Sequence, residues 1–318
     1  MMNVSKFFPI IGLVIFAYII IISDPREIIN TFSNLNFSFL LLSLLMSGFV
    51  LILKAIKWKF IINLHGFDHP LIKCIKAWIV GMSAGIITPA RAGDMIRSFY
   101  IQRKNIRFGH CLSTVVVDRI LDLSVIMLFS LWGVFFISEI AGYPAQIMLM
   151  VPFVIIFIVL IYLVTRREFT RIILKPIARL LVSKIEIKKL KKSYHEMYDS
   201  FNDVGKKKGH IIIMLIFSSI IWMISIVQIR IIGLAIGIEI DYLFLLAVMS
   251  LVVIIELIPI SIFGIGTREA FLIFTFGIIG IAKESAIAFS ISYLVLAYWS
   301  VGLVGLIFWL REPVKIKI

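Results

Sequence analysis

From Ile211 to Ile229 the chain reads IIIMLIFSSIIWMISIVQI, without one charged residue. A run of that length crosses the hydrocarbon of a bilayer as a helix. Inside lipid each backbone N–H and C=O must be satisfied within the protein, which leaves little besides helices and closed barrels. The run is one of several. Candidate spans lie at about 7–22, 37–53, 112–137, 145–164, 210–236 and 286–310, and two more regions, 71–96 and 243–282, are apolar but interrupted. Composition agrees, with 16% charged residues and a mean hydropathy of +1.07, where soluble domains hold about a quarter charged. No polar stretch is long enough for a second globular domain. The expectation is an all-α polytopic integral membrane helix bundle, one domain over residues 1–318. The basic start and apolar stretch of 1-MMNVSKFFPIIGLVIFAYIIIISDPRE lack a small-x-small cleavage site and read as a retained first helix.

Loop charge sets the orientation. The net charge of +14 sits beside spans, where the positive-inside bias accounts for it without nucleic acid. Segment 165–209 carries thirteen Lys/Arg against five acids and is read as a cytoplasmic connector. Lys54, Lys57 and Lys59 assign 54–70 to the same side, and Arg97, Arg103, Lys104 and Arg107 assign 97–110 to it. The sequence 23-SDPRE, Glu139 and the Glu239/Asp241 pair mark outside loops. Region 71–96 then enters and leaves on one side, and 243–282 does so from the other, because Arg311, Lys315 and Lys317 end inside. Both are expected to be re-entrant or broken helices, and the chain is expected to hold two inverted repeats. Paired interrupted segments in inverted halves point to a binding site at their interface. Both termini are expected to be cytoplasmic, in the cell membrane. Within the connector, Leu190, Tyr194, Met197, Phe201 and Val204 form an amphipathic seam, expected to lie on the anionic inner leaflet or to dock a partner.

Ionisable residues inside spans are costly and face partners or wet cavities. Three groups qualify. In 87-ITPARAGDMIR-97, Pro89 and Gly93 break a helix as hinges, Arg91 and Arg97 offer planar cationic donors for phosphate, and Asp94 holds an arginine. In 117-VDRILDL-123, Asp118 and Asp122 share a helix face and Arg119 lies within reach of Asp122. Arg91 or Arg268 is the expected partner of this group. In the third, Glu256, Arg268 and Glu269 flank Gly264 and Gly266, whose amides could seat a phosphate, and Pro259 is a further hinge. Arg230, near a span end, is expected to snorkel. Cys74 and Cys111 lack metal spacing and read as buried thiols. His65 and His69 flank Gly66 and Pro70, which argues against a helical metal pair. No metal or cofactor is expected, and no catalytic or ATP-binding motif is found, so any transport draws on a gradient or mass action.

Together ITPARAGDMIR, VDRILDL and PISIFGIGTREA resemble the lysylphosphatidylglycerol synthase transmembrane, or flippase-like, family, over about residues 10–310. In bacterial multiple peptide resistance factors that domain is associated with moving aminoacylated phospholipid between leaflets. Such factors continue into further spans and an aminoacyl-transferase domain, and other relatives carry a glycosyltransferase. This chain stops at Ile318, with Ala84–Gly85 and Asp94 where the family pattern has Asn and Glu. The resemblance therefore implies a lipid-handling module, not synthesis of lysyl-phosphatidylglycerol.

The leading expectation is a lipid translocase for an anionic or polyprenyl-phosphate headgroup, not an enzyme. Arg91, Arg97, Arg119 and Arg268 bind phosphate on this reading, and Asp94, Asp118, Asp122, Glu256 and Glu269 form ion pairs that swap between states. The alternatives are a scaffold for a separate glycosyltransferase and a membrane enzyme on polyprenyl phosphates, with Ser83, Thr88, Ser261 or Thr267 as nucleophile. Besides membrane lipid, a separate lipid-modifying enzyme and a second copy of the chain are the partners considered.

Overall fold

A computed structural model describes residues 8–33, 35–102, 106–142, 187–257, 261 and 264–311. Among them every regular element is helical: α1 (Phe8–Ile22), α2 (Pro25–Ser33), α3 (Phe37–Leu64), α4 (Leu71–Ile87), a 3₁₀ segment (Pro89–Ile96), α5 (Arg97–Ile101), α6 (Phe108–Ala141), α7 (Ile187–Gly205), α8 (Lys208–Ala235), α9 (Tyr242–Leu257), α10 (Thr267–Ile278) and α11 (Lys283–Arg311). A π turn, Leu294–Trp299, interrupts α11. Helices α3, α6, α8 and α11 are long and apolar enough to cross a membrane. Their burial pattern is that of a lipid-facing bundle. On α3, Leu41, Leu45, Phe49 and Ile52 are exposed while Ser43, Ser47 and Lys57 are buried.

Two ends can be told apart. At one, His65 meets the Ser113 hydroxyl at 2.9 Å, His69 meets the Ile101 carbonyl at 2.9 Å, and Lys207 donates to the Leu64 carbonyl at 2.7 Å. The described parts of 54–70, 97–110 and 187–209 meet there. At the other, Asn36 N–H donates to the Ala235 carbonyl at 2.8 Å and Lys283 to the Ile22 carbonyl at 2.7 Å. The His69–Ile101 contact joins a residue just before α4 to the last residue of α5, so this stretch leaves and returns at one end. From the opposite end α9 and α10 also double back, since the rings of Phe244, near the start of α9, and Phe276, near the end of α10, lie 6.3 Å apart in a tilted contact.

Close backbone contact holds the first hairpin shut. A Cβ at Gly93 would stand 2.2 Å from the Ala84 carbonyl oxygen, and the Gly93 N–H donates to the Thr88 hydroxyl at 2.6 Å. Gly93, expected as a hinge, is thus a fixed packing contact. Gly93→Ala is expected to lower stability by roughly 1–3 kcal/mol through overpacking. Gly48→Ala has nothing within 4 Å of its added Cβ and should be neutral or gain up to about 1 kcal/mol of helix propensity. Thermal unfolding of both variants in detergent checks the pair; equal midpoints would mean that the hairpin is not held by this contact.

Several sequence expectations change. Helix α3 does not stop at 53 but runs to Leu64, so Lys54, Lys57 and Lys59 are helical, not loop residues. No Gly or Pro interrupts 54–64, and Trp58, Ile61 and Ile62 continue the apolar face into full burial. The outside loop at 23-SDPRE opens helix α2. The amphipathic seam of α7 is not spread on a leaflet: Met197 packs with Leu112 and Val116, and Val204 with Val117, Leu121 and Met214. Docking of Met197, Phe201 and Val204 onto α6 and α8 satisfies this part of the apolar face within the chain. Span 145–164, connector residues 165–186, Arg103, Lys104, Pro259, Lys315 and Lys317 lie outside the described residues.

Candidate functional site

Two buried charge clusters occupy the bundle. In the first, α3 supplies Lys57, the first hairpin Asp94 and Arg97, and α6 Asp118, Arg119 and Asp122. Lys57 pairs with Asp118 at 2.8 Å and also with Asp122, and donates to Ser218 on α8 at 3.1 Å. Arg97 reaches Asp118 at 2.6 Å and Asp94 at 3.5 Å, while Arg119 reaches Asp94 at 2.6 Å. Three cations therefore face three carboxylates. The Arg97 guanidinium lies between the Trp58 and Trp78 rings, 4.9 and 4.5 Å from their centroids, a desolvated cation–π sandwich that adds to the pairing. Asp118 and Asp122 share Lys57 because residues four apart stand on one helix face.

The second cluster joins the two hairpins. Arg91, at the turn after α4, has φ 56 and is the one non-glycine with positive φ among the described residues. Holding an arginine there costs about 1 kcal/mol or more. Its guanidinium contacts Glu256, at the inner end of α9, at 2.5 Å, and the Tyr298 hydroxyl at 2.8 Å. Glu256 also pairs with Arg268 at 3.4 Å. Arg268 pairs with Glu269 at 2.7 Å and donates to the Ser290 hydroxyl at 2.7 Å. Two cations face two carboxylates here. Each cluster is neutral as a whole, which is what burial of so many charges requires.

The geometry corrects several assignments. Arg97 and Arg268 were expected to bind phosphate, but their side chains are 0% and 1% exposed and each is paired with carboxylates of the protein. Arg91 and Arg119 retain 22% and 26%. The 118/122 group pairs with Lys57 and Arg97 instead of Arg91 or Arg268, and Arg119 turns to Asp94 instead of Asp122. The amide of Gly266 is not open to phosphate: it donates to the Glu269 carboxylate at 2.5 Å, closing the start of α10. Gly264 has φ 75 and packs where a Cβ would stand 2.7 Å from the Glu256 side chain, so it shapes the carboxylate's seat. Pro89 begins the 3₁₀ segment. Arg230 pairs with Glu239 at 3.6 Å and donates to the Ile240 carbonyl.

The considered nucleophiles are otherwise occupied. Ser83 donates to the Ile79 and Gly302 carbonyls, Thr88 to the Ala84 carbonyl, and Ser261 and Thr267 bond each other. Among the described residues no cluster of three or more metal ligands exists. Cys74 and Cys111 are free thiols buried in one apolar cluster.

Between the two clusters lies a cavity of about 60 Å³, lined by Lys54, Trp78, Trp222, Gln228, Tyr293, Tyr298 and neighbouring apolar residues. Sequence reasoning missed Lys54 and Lys57 because they were counted as loop charge. It also missed the tyrosines. Tyr293 and Tyr298 are five residues apart, a spacing that does not share a face in a regular α-helix, yet the π turn brings their hydroxyls to 2.7 Å.

Comparison with known proteins places the chain in a family. Residues 10–305 match the family described as lysylphosphatidylglycerol synthase TM region. A UPF0104 membrane protein of Methanocaldococcus jannaschii is 24% identical, with 87% of this chain and 84% of the relative covered. UPF0104 membrane proteins of Methanothermobacter thermautotrophicus and Pyrococcus horikoshii are each 22% identical over 93% of this chain and at least 92% of their own length. The chain is a multi-pass membrane protein and belongs to the lysylphosphatidylglycerol synthase TM region family.

Proposed function

We propose that the protein is a flippase-like translocase that moves a phosphate-bearing lipid, a phospholipid or a polyprenyl-phosphate-linked lipid, between the leaflets of the cell membrane. The observation that carries this reading is the contact of Arg91, at the turn of the first hairpin, with Glu256, near the end of α9 in the second. A phosphate presents oxygens that an arginine fork accepts as readily as a carboxylate. Exchange of Glu256 for a headgroup on Arg91 strands no charge, because Glu256 keeps Arg268. The two hairpins, entering from opposite ends, fit an inverted-repeat transporter in which one half rocks against the other. In this reading the end that gathers the basic segments, and both termini, are cytoplasmic. The closed state is held by the ion pairs, and opening passes through the Arg91–Glu256 contact.

The test is leaflet exchange of headgroup-labelled phosphatidylglycerol and of a polyprenyl phosphate in liposomes holding the purified protein. Arg91→Lys keeps the charge and loses the fork, so exchange of the transported lipid should fall at least about tenfold with the unfolding midpoint little changed. Exchange at the unsubstituted rate would retire the phosphate role of Arg91. Turnover of labelled polyprenyl diphosphate to monophosphate by the purified protein would favour the enzyme reading instead.

A further inference from the structure

Each arginine of the two clusters contacts a carboxylate of the protein, while a lysine beside them does not. Lys54 lines the 60 Å³ cavity, and among the described residues it forms no ion pair; its ammonium lies 5.7 Å from the centroid of the Trp78 ring. The carboxylates of the adjoining cluster are taken by Lys57, Arg97 and Arg119. Trp78 lines the same cavity, is 4% exposed, and its indole N–H meets no acceptor. Among the described residues no carboxylate lines the cavity. A positive charge and a buried donor thus face one space whose charged lining is Lys54 alone. The Gln228 amide nitrogen donates to the Ser47 hydroxyl at 2.6 Å. A space of this size holds roughly four to six waters, close to the oxygens of one phosphate group.

We propose that this cavity is an anion subsite that receives the phosphate of the headgroup before it reaches Arg91, and that it selects headgroups whose remaining part is uncharged. This rests on the lipid-translocase reading. The selection follows from charge: a headgroup amine would bring a second cation beside Lys54 in a site without a carboxylate to receive it, where like charges are poorly screened. The bridge to the second cluster is already present, because Tyr298 lines the cavity and its hydroxyl accepts from Arg91 at 2.8 Å. Phosphate held at Lys54 is therefore one side chain away from the inter-hairpin contact.

Trp78 and Trp222 in the lining provide the signal. Intrinsic tryptophan fluorescence would be titrated with inorganic phosphate in detergent, with chloride at equal ionic strength as control. It would also be compared in nanodiscs of pure phosphatidylcholine and nanodiscs containing phosphatidylglycerol or phosphatidylethanolamine. The expected result is a saturable change with inorganic phosphate and with phosphatidylglycerol, and little with the two amine-bearing lipids. Lys54→Met should weaken it at least about tenfold, and Lys54→Arg should retain most of it. Because Lys54 has no ion-pair partner among the described residues, its removal strands none of their carboxylates; an unchanged unfolding midpoint confirms that the variant is folded. An unaltered response in Lys54→Met, or equal responses to all the lipids, would overturn the proposal. A response to inorganic phosphate with none to phosphatidylglycerol would overturn the lipid source and leave a free-phosphate site. Lys54-dependent binding without leaflet exchange by the unsubstituted protein would support the subsite and reject the translocase reading, so the two fail separately.

Discussion

Replacing Glu256 with alanine should cost about 3–5 kcal/mol, the range for removing one partner of a buried pair. The loss falls on two guanidinium groups. Arg268 keeps Glu269, but Arg91 loses its carboxylate and retains the Tyr298 hydroxyl. The second cluster passes from balance to one surplus positive charge inside the bundle. Glu256→Gln should cost less than alanine, since the amide oxygen still accepts a hydrogen bond. Adding Arg91→Met to Glu256→Gln restores the count of one cation and one carboxylate and should recover part of the loss. Unfolding midpoints of the three variants in one detergent measure this. A double variant no more stable than Glu256→Gln alone would show that the surplus charge is not what destabilises the protein.

Lys57→Met is the counterpart in the first cluster and should also cost about 3–5 kcal/mol. Lys57 is fully buried and holds both Asp118 and Asp122. Without it Asp118 still has Arg97, whereas Asp122 loses the one ion-pair partner it has among the described residues. Lys57→Met with Asp122→Asn leaves Arg97 and Arg119 facing Asp94 and Asp118, two against two. The double variant should therefore be more stable than the sum of the single losses predicts, by a coupling of about 1–3 kcal/mol. Additive losses would mean that Lys57 acts through packing and not through charge balance.

How far the sequence spoke depended on the kind of information asked of it. Apolar runs report where helices lie, so 210–236 and 286–310 became Lys208–Ala235 and Lys283–Arg311 with ends shifted by three residues or fewer. Ionisable residues inside those runs announced that charges would be buried, and Asp118, Glu256 and Arg268 are, while Asp122 stays 20% exposed. Pairing was not legible. Whether Arg119 turns to Asp94 or Asp122 depends on how the first hairpin lies against α6, which spacing along one helix cannot supply. The lysines of 54–59 were misread for a different reason. A charge-counting rule treats lysine as a loop residue, but the uninterrupted Trp58–Ile62 face was a competing helical signal, and burial against Asp118 and Asp122 offsets the cost of Lys57. Glycines carried a similar ambiguity: Gly266 looked like an open amide and is closed by a carboxylate three residues on.

The π turn in α11 also determines how tolerant this helix is to a change in length. Such a turn is equivalent to one residue inserted into an α-helix and absorbed locally. Deleting one residue from 295–297 would regularise the backbone while Lys283–Tyr293 and Ser300–Arg311 kept their faces, an outcome that an ordinary transmembrane helix would not allow. The two tyrosines, then four apart, would still be neighbours. The polar link at the turn is what such a deletion would put at risk: Gln228 donates to Ser47, and Ser47 to the Leu296 carbonyl at 2.9 Å. That chain of bonds ties α8, α3 and α11 together at the wall of the cavity. A shortened α11 would thus keep its hydrophobic register and lose its anchor. Variation in length among functional versions of this chain has a permitted place inside a membrane span, and coupling between the helices is the property that variation would alter.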